Sequence, residues 1–391
     1  MISLKGYPKN INQEYLMKVR RIDTFQRKGN TYFVYYLYNF KGYPINKEKV
    51  IYLTNYADYS IISQSNKKSI IYFVKNVNQL RIGDIVLINP EGEIVVLYIK
   101  NSNDNAIFVT HDCDCNCIMC PQPRDENEKD LHDYNIRMIR LMDKEVKYLA
   151  LTGGEPTLYL KRIVDILLNC KKYLPRTSLI ILTNGGLLSD YDFAKTLVSI
   201  KHPDLTFAIS LQADVDTIHN SMMGNKIFNK TIEGIYNLAR LKQKIEIRIV
   251  ITKINYQRIS DFANFVSYNF PFVYHVAIMG LESIGEALKN IDTTWIDPYY
   301  YQEELIKAIQ IFNRMGICVS LYNHQLCILP KSIWKYSEKS ISSWKKIYLN
   351  ICENCNYKNQ CGGFFESSVN IHSNFINSIM RGEQTLPLKI I

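Results

Sequence analysis

The chain opens with short runs in which aromatic and β-branched residues crowd together: Thr31-Tyr32-Phe33-Val34-Tyr35-Tyr36-Leu37-Tyr38, Val50-Ile51-Tyr52-Leu53 and Ser69-Ile70-Ile71-Tyr72-Phe73-Val74. Such side chains suit the pleated surface of a sheet, so residues 1–103 are expected to form a β-rich N-terminal domain. Its last strands, 84–89 and 94–99, flank Pro90-Glu91-Gly92-Glu93 and read as a hairpin. From Ala106 the pattern changes. Apolar runs at 106–110, 148–152, 179–183, 205–210, 246–251 and 272–279 alternate with stretches of helical spacing such as Ile163, Ile166 and Leu167, or Ile232, Ile235, Leu238 and Ala239. Repeated strand then helix predicts an α/β core over 104–294, a partial TIM-type barrel of six β/α units with its chemistry at the carboxyl ends of the strands. Residues 295–391 read as a helix around 303–315, a strand at 317–321 and an irregular Cys-rich region.

Composition narrows this picture. With 391 residues, 47% hydrophobic and 21% charged, the chain falls among ordinary globular proteins, and disorder or collagen-like repeats are excluded. It contains no apolar run of the length that spans a bilayer, and its start lacks the apolar stretch of a signal peptide, so a cytoplasmic protein without a membrane partner is expected. The formal charge of +10 is spread over scattered lysines. A diffuse positive field serves an acidic peptide or small molecule as well as a nucleic acid, and a dense basic block is what nucleic-acid binding would call for.

The ten cysteines change the picture more. A cytosolic chain of this length needs no disulfide staples, and the thiols are clustered. Cys113, Cys117 and Cys120 follow the first strand of the core as C-x3-C-x2-C, with Cys115 inside the loop. Cys352, Cys355 and Cys361 form C-x2-C-x5-C, with Cys327 the best candidate for a fourth ligand. Soft ligands so spaced point to metal, and three thiolates on a 4Fe-4S cluster leave one iron open to a ligand. After the second core strand comes Leu151-Thr152-Gly153-Gly154-Glu155-Pro156, where two glycines permit close backbone approach and Glu155 offers an acceptor for an ammonium group. Cys170 and Cys318 lie in apolar segments and read as buried core thiols, with hydrogen-atom donation the alternative for Cys318, and His219 reads as structural.

The cysteine spacing, the preceding strand and Gly153-Gly154-Glu155 resemble the radical S-adenosylmethionine (SAM) superfamily over roughly 106–279. The resemblance implies that Cys113, Cys117 and Cys120 hold a 4Fe-4S cluster whose open iron is chelated by SAM. It also implies that an external electron donor supplies the electron cleaving SAM to a 5′-deoxyadenosyl radical. It places the methionyl amine near Gly153, Gly154 and Glu155, ribose and carboxylate near Ser210 and Arg248, and adenine near Met279. Cys115 is not a ligand in that pattern and reads as a spare small apolar residue.

The second cysteine group resembles the SPASM and twitch extensions of peptide-modifying members of the superfamily. These imply an auxiliary 4Fe-4S cluster on Cys327, Cys352, Cys355 and Cys361, with zinc as the alternative occupant. Phe365 stands where the full SPASM pattern continues with cysteine, which limits the expectation to one auxiliary cluster. A closer resemblance, to the radical SAM maturase C family of the His-Xaa-Ser system, rests on Cys117-Ile-Met-Cys120-Pro-Gln-Pro123, Met279-Gly280-Leu281-Glu282, Leu326-Cys327-Ile-Leu-Pro330 and Cys361-Gly-Gly-Phe-Phe365 with Ser367. It implies a precursor peptide substrate with His-Xaa-Ser repeats, usually alongside a second radical SAM maturase. The N-terminal strands then recognise that peptide by strand addition, or serve as a cap on the barrel. The competing functions are a radical SAM enzyme acting on RNA or a small metabolite, and a non-catalytic Fe–S or zinc module.

Overall fold

Apolar, β-branched runs that would be awkward on a helix form two eight-stranded sheets with separate interiors. The computed structural model describes residues 2–27, 30–38, 50–55, 69–122, 130–343 and 345–380, so Pro123 of the resemblance motif lies outside the described residues. The N-terminal sheet contains β1 (Ser3–Lys5), β2 (Tyr7–Lys9), β3 (Tyr15–Arg27), β4 (Asn30–Tyr38), β5 (Val50–Thr54), β6 (Ser69–Tyr72), β7 (Ile85–Ile88) and β8 (Glu93–Tyr98). Its order is β1-β8-β7-β3-β4-β5-β6-β2. Because β1 and β2 follow one another directly, residues 3–9 bond to β8 with their first half and to β6 with their second, and the sheet closes on itself. Gly6 marks the junction and donates to Gly92 O at 3.0 Å.

Closure leaves little edge at the sheet ends for the expected addition of a peptide strand, since β1 and β2 are three residues each. Among the described residues a longer edge lies on β3. β7 pairs with Tyr15–Lys18 of β3 and Val19 bonds to Gly83 and Asp84, while among the described residues the stretch 21–27 pairs with β4. Met17, Val19, Leu37, Ile51, Leu53, Val86 and Ile94 fill the interior. On the outside, Lys18 is buried and donates to Leu141 O at 2.7 Å and to Asp143 at 2.8 Å, fastening this unit to the second.

The second sheet has the order β16-β15-β14-β13-β12-β11-β10-β9 and its pairs are parallel throughout. Its strands are β9 (Ala106–Phe108), β10 (Tyr148–Thr152), β11 (Ser178–Thr183), β12 (Leu205–Ser210), β13 (Lys244–Val250), β14 (His275–Met279), β15 (Cys318–Tyr322) and β16 (Ser337–Glu338). The connecting helices are α1 (His132–Leu141), α2 (Leu160–Tyr173), α3 (Tyr191–Ser199), α4 (Asp216–Met223), α5 (Phe228–Arg240), α6 (Ile259–Asn269), α7 (Gly285–Lys289), α8 (Ile291–Thr294) and α9 (Gln302–Arg314). Amphipathic stripes such as Ile163, Ile166, Leu167 and Cys170 on α2 are fully buried against the sheet. Sharp helix starts come from local chemistry, as where the Asp190 carboxylate accepts from the backbone N–H groups of Asp192 and Phe193.

This is the expected α/β fold with a parallel core, a β-rich N-terminal unit and a Cys-rich C-terminal region. The core sheet carries more than the six expected strands. β15 pairs in parallel with β14 over Cys318–Tyr322, so the stretch after 294 continues the same sheet before the irregular region begins. Cys318, expected as a buried thiol, is exposed at the start of β15, whereas Cys170 is buried and its thiol is pushed up to about 12 by that burial. Among the described residues no helix is long and apolar enough to cross a membrane.

The closure at Gly6 and Gly92 is testable. Gly92 has φ +79°, and a Cβ there would stand 2.2 Å from Gly6 O. Gly92→Ala is expected to lower stability by about 1–3 kcal/mol in urea titrations and to speed amide exchange at Gly6.

Candidate functional site

One cavity of about 670 Å³ opens at the carboxyl ends of the parallel strands, within the size range of small-molecule sites. Its lining brings together Cys113, Cys117 and Cys120 with Gly153, Gly154, Glu155, Ser210, Arg248 and Met279. Each residue singled out in the first cysteine motif and at the strand ends therefore faces the same space.

The cysteine loop is held from three directions. Val109 donates to Thr152 O at 2.8 Å, Gly154 to Thr110 O at 2.7 Å and Glu155 to Asp112 O at 2.8 Å, which ties the loop to the end of β10. Asn116 and Ile118 donate to the carbonyls of Met223 and Met222 at 3.0 Å each, which ties it to the end of α4. Glu286 donates to Cys120 O at 2.9 Å and Asn290 Nδ2 to Ile118 O at 3.2 Å, which ties it to α7. Met119, Met222, Met223, Ile227 and Ala287 form a small apolar cluster with Cys115 under the loop.

Glu155 is bonded within the chain as well as lining the cavity. Its carboxylate is 1% exposed and accepts from Thr157 N (2.9 Å), Thr157 Oγ1 (2.6 Å), Thr183 Oγ1 (2.6 Å) and Asn184 N (2.8 Å). Three of these donors share Oε1 and one reaches Oε2, so the side chain braces β10 to β11 while Oε2 keeps room for a further donor. Asn184 continues the brace, its Nδ2 donating to Asp114 Oδ1 at 2.6 Å and its Oδ1 accepting from Gly186 N at 2.8 Å. Cys115 is buried at 4% exposure and its sulfur also faces Asn184 Nδ2, at 3.4 Å.

The thiols have local partners. Cys120 donates to Gln122 O at 3.0 Å, and Cys117 lies 3.7 Å from the Met223 sulfur. The Cys113 thiol is pushed up, first by its hydrogen bond with Cys115 and then by burial. Among the described residues no three Cys, His, Asp or Glu side chains are already converged as an ion-holding group.

Cys327, Cys352, Cys355 and Cys361 are half-buried and come together in the C-terminal region, close enough that the other three act electrostatically on Cys327. Burial, with those neighbours adding, pushes the Cys327 thiol up to about 12. Backbone N–H groups point at this set: that of Asn377 at Cys327 and that of Ile379 at Cys355 Sγ, 3.5 Å away. Phe365 is buried on a short strand, β18 (Phe364–Phe365), paired with β17 (Lys346–Ile347). Upstream of Cys327, His324 is buried and its Nε2 meets Tyr301 Oη at 3.1 Å, anchoring the segment to the turn that precedes α9.

Sequence reasoning passed over Glu246, His275 and Ser320, which form a polar line inside the sheet next to Arg248. The signal was present in Lys244-Ile-Glu-Ile-Arg-Ile-Val250, where charges alternate with isoleucine at the strand period. His219 is structural as read, fully buried with Nδ1 accepting from Gln212 N at 3.1 Å.

Two of these histidines set a pH dependence. Burial lowers both His219 and His324 from 6.5 to about 4. Between those values the unfolded chain binds protons that the native chain does not, so stability falls as pH drops through the window. The slope reaches about 1.4 kcal/mol per pH unit for each histidine. Denaturant titrations at pH 7 and pH 5 are expected to show this loss, and His324→Gln to reduce it.

Against known proteins, residues 107–266 match the Radical SAM superfamily. A tungsten-containing aldehyde ferredoxin oxidoreductase cofactor-modifying protein of Pyrococcus furiosus is 26% identical over 171 residues, 40% of this chain and 46% of that protein. The chain thus spans about half the length of that relative. Streptococcus suis SuiB bound to its precursor peptide SuiA is similar with a TM-score of 0.45 and 20% identity, over 59% of this chain and 50% of SuiB. A radical SAM methyltransferase from Sphaerobacter thermophilus is similar with a TM-score of 0.40 and 13% identity, over 79% and 77% of the two chains. The matched segment contains the cysteine loop, the Gly153-Gly154 turn and strands β10 to β13, and it is this segment that is similar to the Radical SAM superfamily.

Proposed function

We propose that this chain is a radical SAM enzyme that modifies a ribosomally made peptide, of the His-Xaa-Ser type. The carrying observation is the single cavity that collects Cys113, Cys117 and Cys120 with Gly153, Gly154, Ser210, Arg248 and Met279. The residues fit the two groups implied. Three soft thiols line the cavity as ligands for a 4Fe-4S cluster, and a cation and a hydroxyl line it for the polar ends of SAM. Together these groups supply, when bound, a one-electron reductive cleavage that yields a 5′-deoxyadenosyl radical for hydrogen-atom abstraction.

The chain's own part is to bind, orient and exclude water. The loop carrying Cys113 to Cys120 is pinned by backbone bonds on three sides, which fixes where three thiolates can converge. Glu155, bonded to Thr183 and Asn184, keeps the Gly153-Gly154 turn and β11 in register at the cavity, where its Oε2 can still meet the methionyl amine. The apolar cluster beneath the loop keeps water from the covered side of the thiols. Cys327, Cys352, Cys355 and Cys361, with amide N–H groups aimed at two of them, suit an auxiliary 4Fe-4S cluster, since such hydrogen bonds tune Fe–S sulfur. The outer half of β3 supplies a backbone edge for peptide addition. A second maturase and an external one-electron donor complete the reading, and RNA is not favoured because the lysines form no dense block.

After anaerobic reconstitution and reduction, the wild-type chain is expected to form 5′-deoxyadenosine from SAM and Cys117→Ala to lose it. Cys361→Ala should lower bound iron from about eight to about four atoms per chain. A wild type already at about four, with zinc alongside, would replace the auxiliary cluster by a zinc site. Co-expression with a His-Xaa-Ser peptide, read by mass spectrometry, is expected to show loss of two hydrogens for a crosslink or desaturation. Peptide binding should also persist with added salt, where phosphate binding by an RNA enzyme would fall steeply.

A further inference from the structure

Strands β13, β14 and β15 place Glu246, His275 and Ser320 on the face of the sheet that continues into the cavity. Arg248 Nε donates to Glu246 Oε1 at 2.5 Å. The other oxygen, Oε2, accepts from His275 Nδ1 at 2.9 Å, and His275 Nε2 meets Ser320 Oγ at 2.9 Å. One tautomer satisfies the line: Nδ1–H donated to the carboxylate, with Nε2 accepting the serine hydroxyl. Glu246 is 7% exposed. Burial pushes its carboxyl up, but hydrogen bonds from His275 and Arg248 outweigh this and hold it below the ordinary value, so it stays charged.

Arg248 is held at one place only. Its Nε is occupied, while its terminal Nη groups have no protein partner among the described residues. The side chain is 21% exposed and lines the cavity. Lys289, the other Lys or Arg of that lining, is paired with Glu286 at 2.6 Å. A guanidinium gripped through Nε by a buried carboxylate loses its freedom to turn away, and its outer edge presents parallel N–H donors at carboxylate spacing.

We propose that Glu246, braced by His275 and Ser320, is a positioning residue that holds Arg248 by Nε so that its Nη groups receive the carboxylate of SAM. The inference rests on the radical SAM reading above and adds the buried line behind the arginine. Glu246 touches no ligand itself. Its contribution is to set the orientation of the fork before binding, so that the ligand does not have to order it.

The test compares two ligands on anaerobically reconstituted holoenzyme by equilibrium dialysis: SAM, and 5′-methylthioadenosine, which keeps the adenosyl group and sulfur but lacks the aminocarboxylate. Glu246→Gln keeps the shape and removes the charge. It is expected to weaken SAM about tenfold and leave 5′-methylthioadenosine within about twofold. Arg248→Lys should give the same ratio, and Ser320→Ala a smaller shift in the same direction; these two variants decide the matter if Glu246→Gln does not fold. Unchanged SAM binding in the variants, or equal weakening of both ligands, overturns the inference while leaving the radical SAM reading in place. A reconstituted wild type that does not bind SAM overturns that reading and the inference with it.

Discussion

Gly154 donates to Thr110 O at 2.7 Å and Glu155 to Asp112 O at 2.8 Å, so the turn after β10 lies backbone against backbone on the loop that carries the cysteines. Nothing larger than hydrogen fits between them. A Cβ at Gly153 would stand 2.3 Å from Thr110 O, and one at Gly154 would stand 2.1 Å from Asp112 O. The φ of Gly153, +140°, also lies where side chains are strained. This contact fixes the height of the cysteine loop above the sheet. It also explains the glycines differently from the sequence argument, since their missing side chains make room for the chain's own backbone as much as for a ligand. Glu155 and Asn184 then carry the same constraint sideways to β11 and back to Asp114.

Parallel registration turns that local contact into a layered site. Ser210 stands opposite Arg248, and Val250 stands opposite Met279, so four of the cavity-lining residues sit in the upper rows of neighbouring strands. One strand period below, Ala208, Glu246 and His275 form the next row. Inward residues alternate along each strand, so a polar pair in one strand aligns with polar residues of the next without any loop having to place them. The ligand-facing arginine and the carboxylate behind it belong to adjacent rows of one rigid sheet.

Much of this was legible in the chain. The apolar runs place β10 and β12 at Tyr148–Thr152 and Leu205–Ser210, as read, because buried parallel strands need continuous apolar sequence. The cysteine spacing and Gly153-Gly154-Glu155 were legible because each depends on short-range geometry. Tertiary properties were not. The fate of the Glu155 carboxylate depends on Thr183 and Asn184, 28 and 29 residues away in the chain. The exposure of Cys318 follows from its place at the start of β15, and the closure of the N-terminal sheet depends on Gly6 meeting Gly92. His275 lies inside the run read as 272–279, and its role depends on Glu246 and Ser320 from the strands on either side.

The C-terminal region is not an appendage hung on a linker. β15 lies in the core sheet, and the chain leaves it through Tyr322 to reach Cys327 only five residues on. Gly280 donates to Tyr322 O at 2.9 Å, so the end of β14 and the start of that path are bonded together. From the same end of β14, Glu282 takes Lys345 at 2.9 and 3.0 Å, and Glu286 reaches back to Cys120. One short segment, 280–286, thus touches the loop of the first thiol group and the region of the second. A shift of either would have to break a bidentate, mostly buried ion pair or a loop hydrogen bond, each expensive to leave unmade. Their relative placement is therefore a property of the sheet and this segment, which explains why the resemblance motif Met279-Gly280-Leu281-Glu282 joins residues of such different roles: a cavity wall, a strand-end bond and an anchor for the second region.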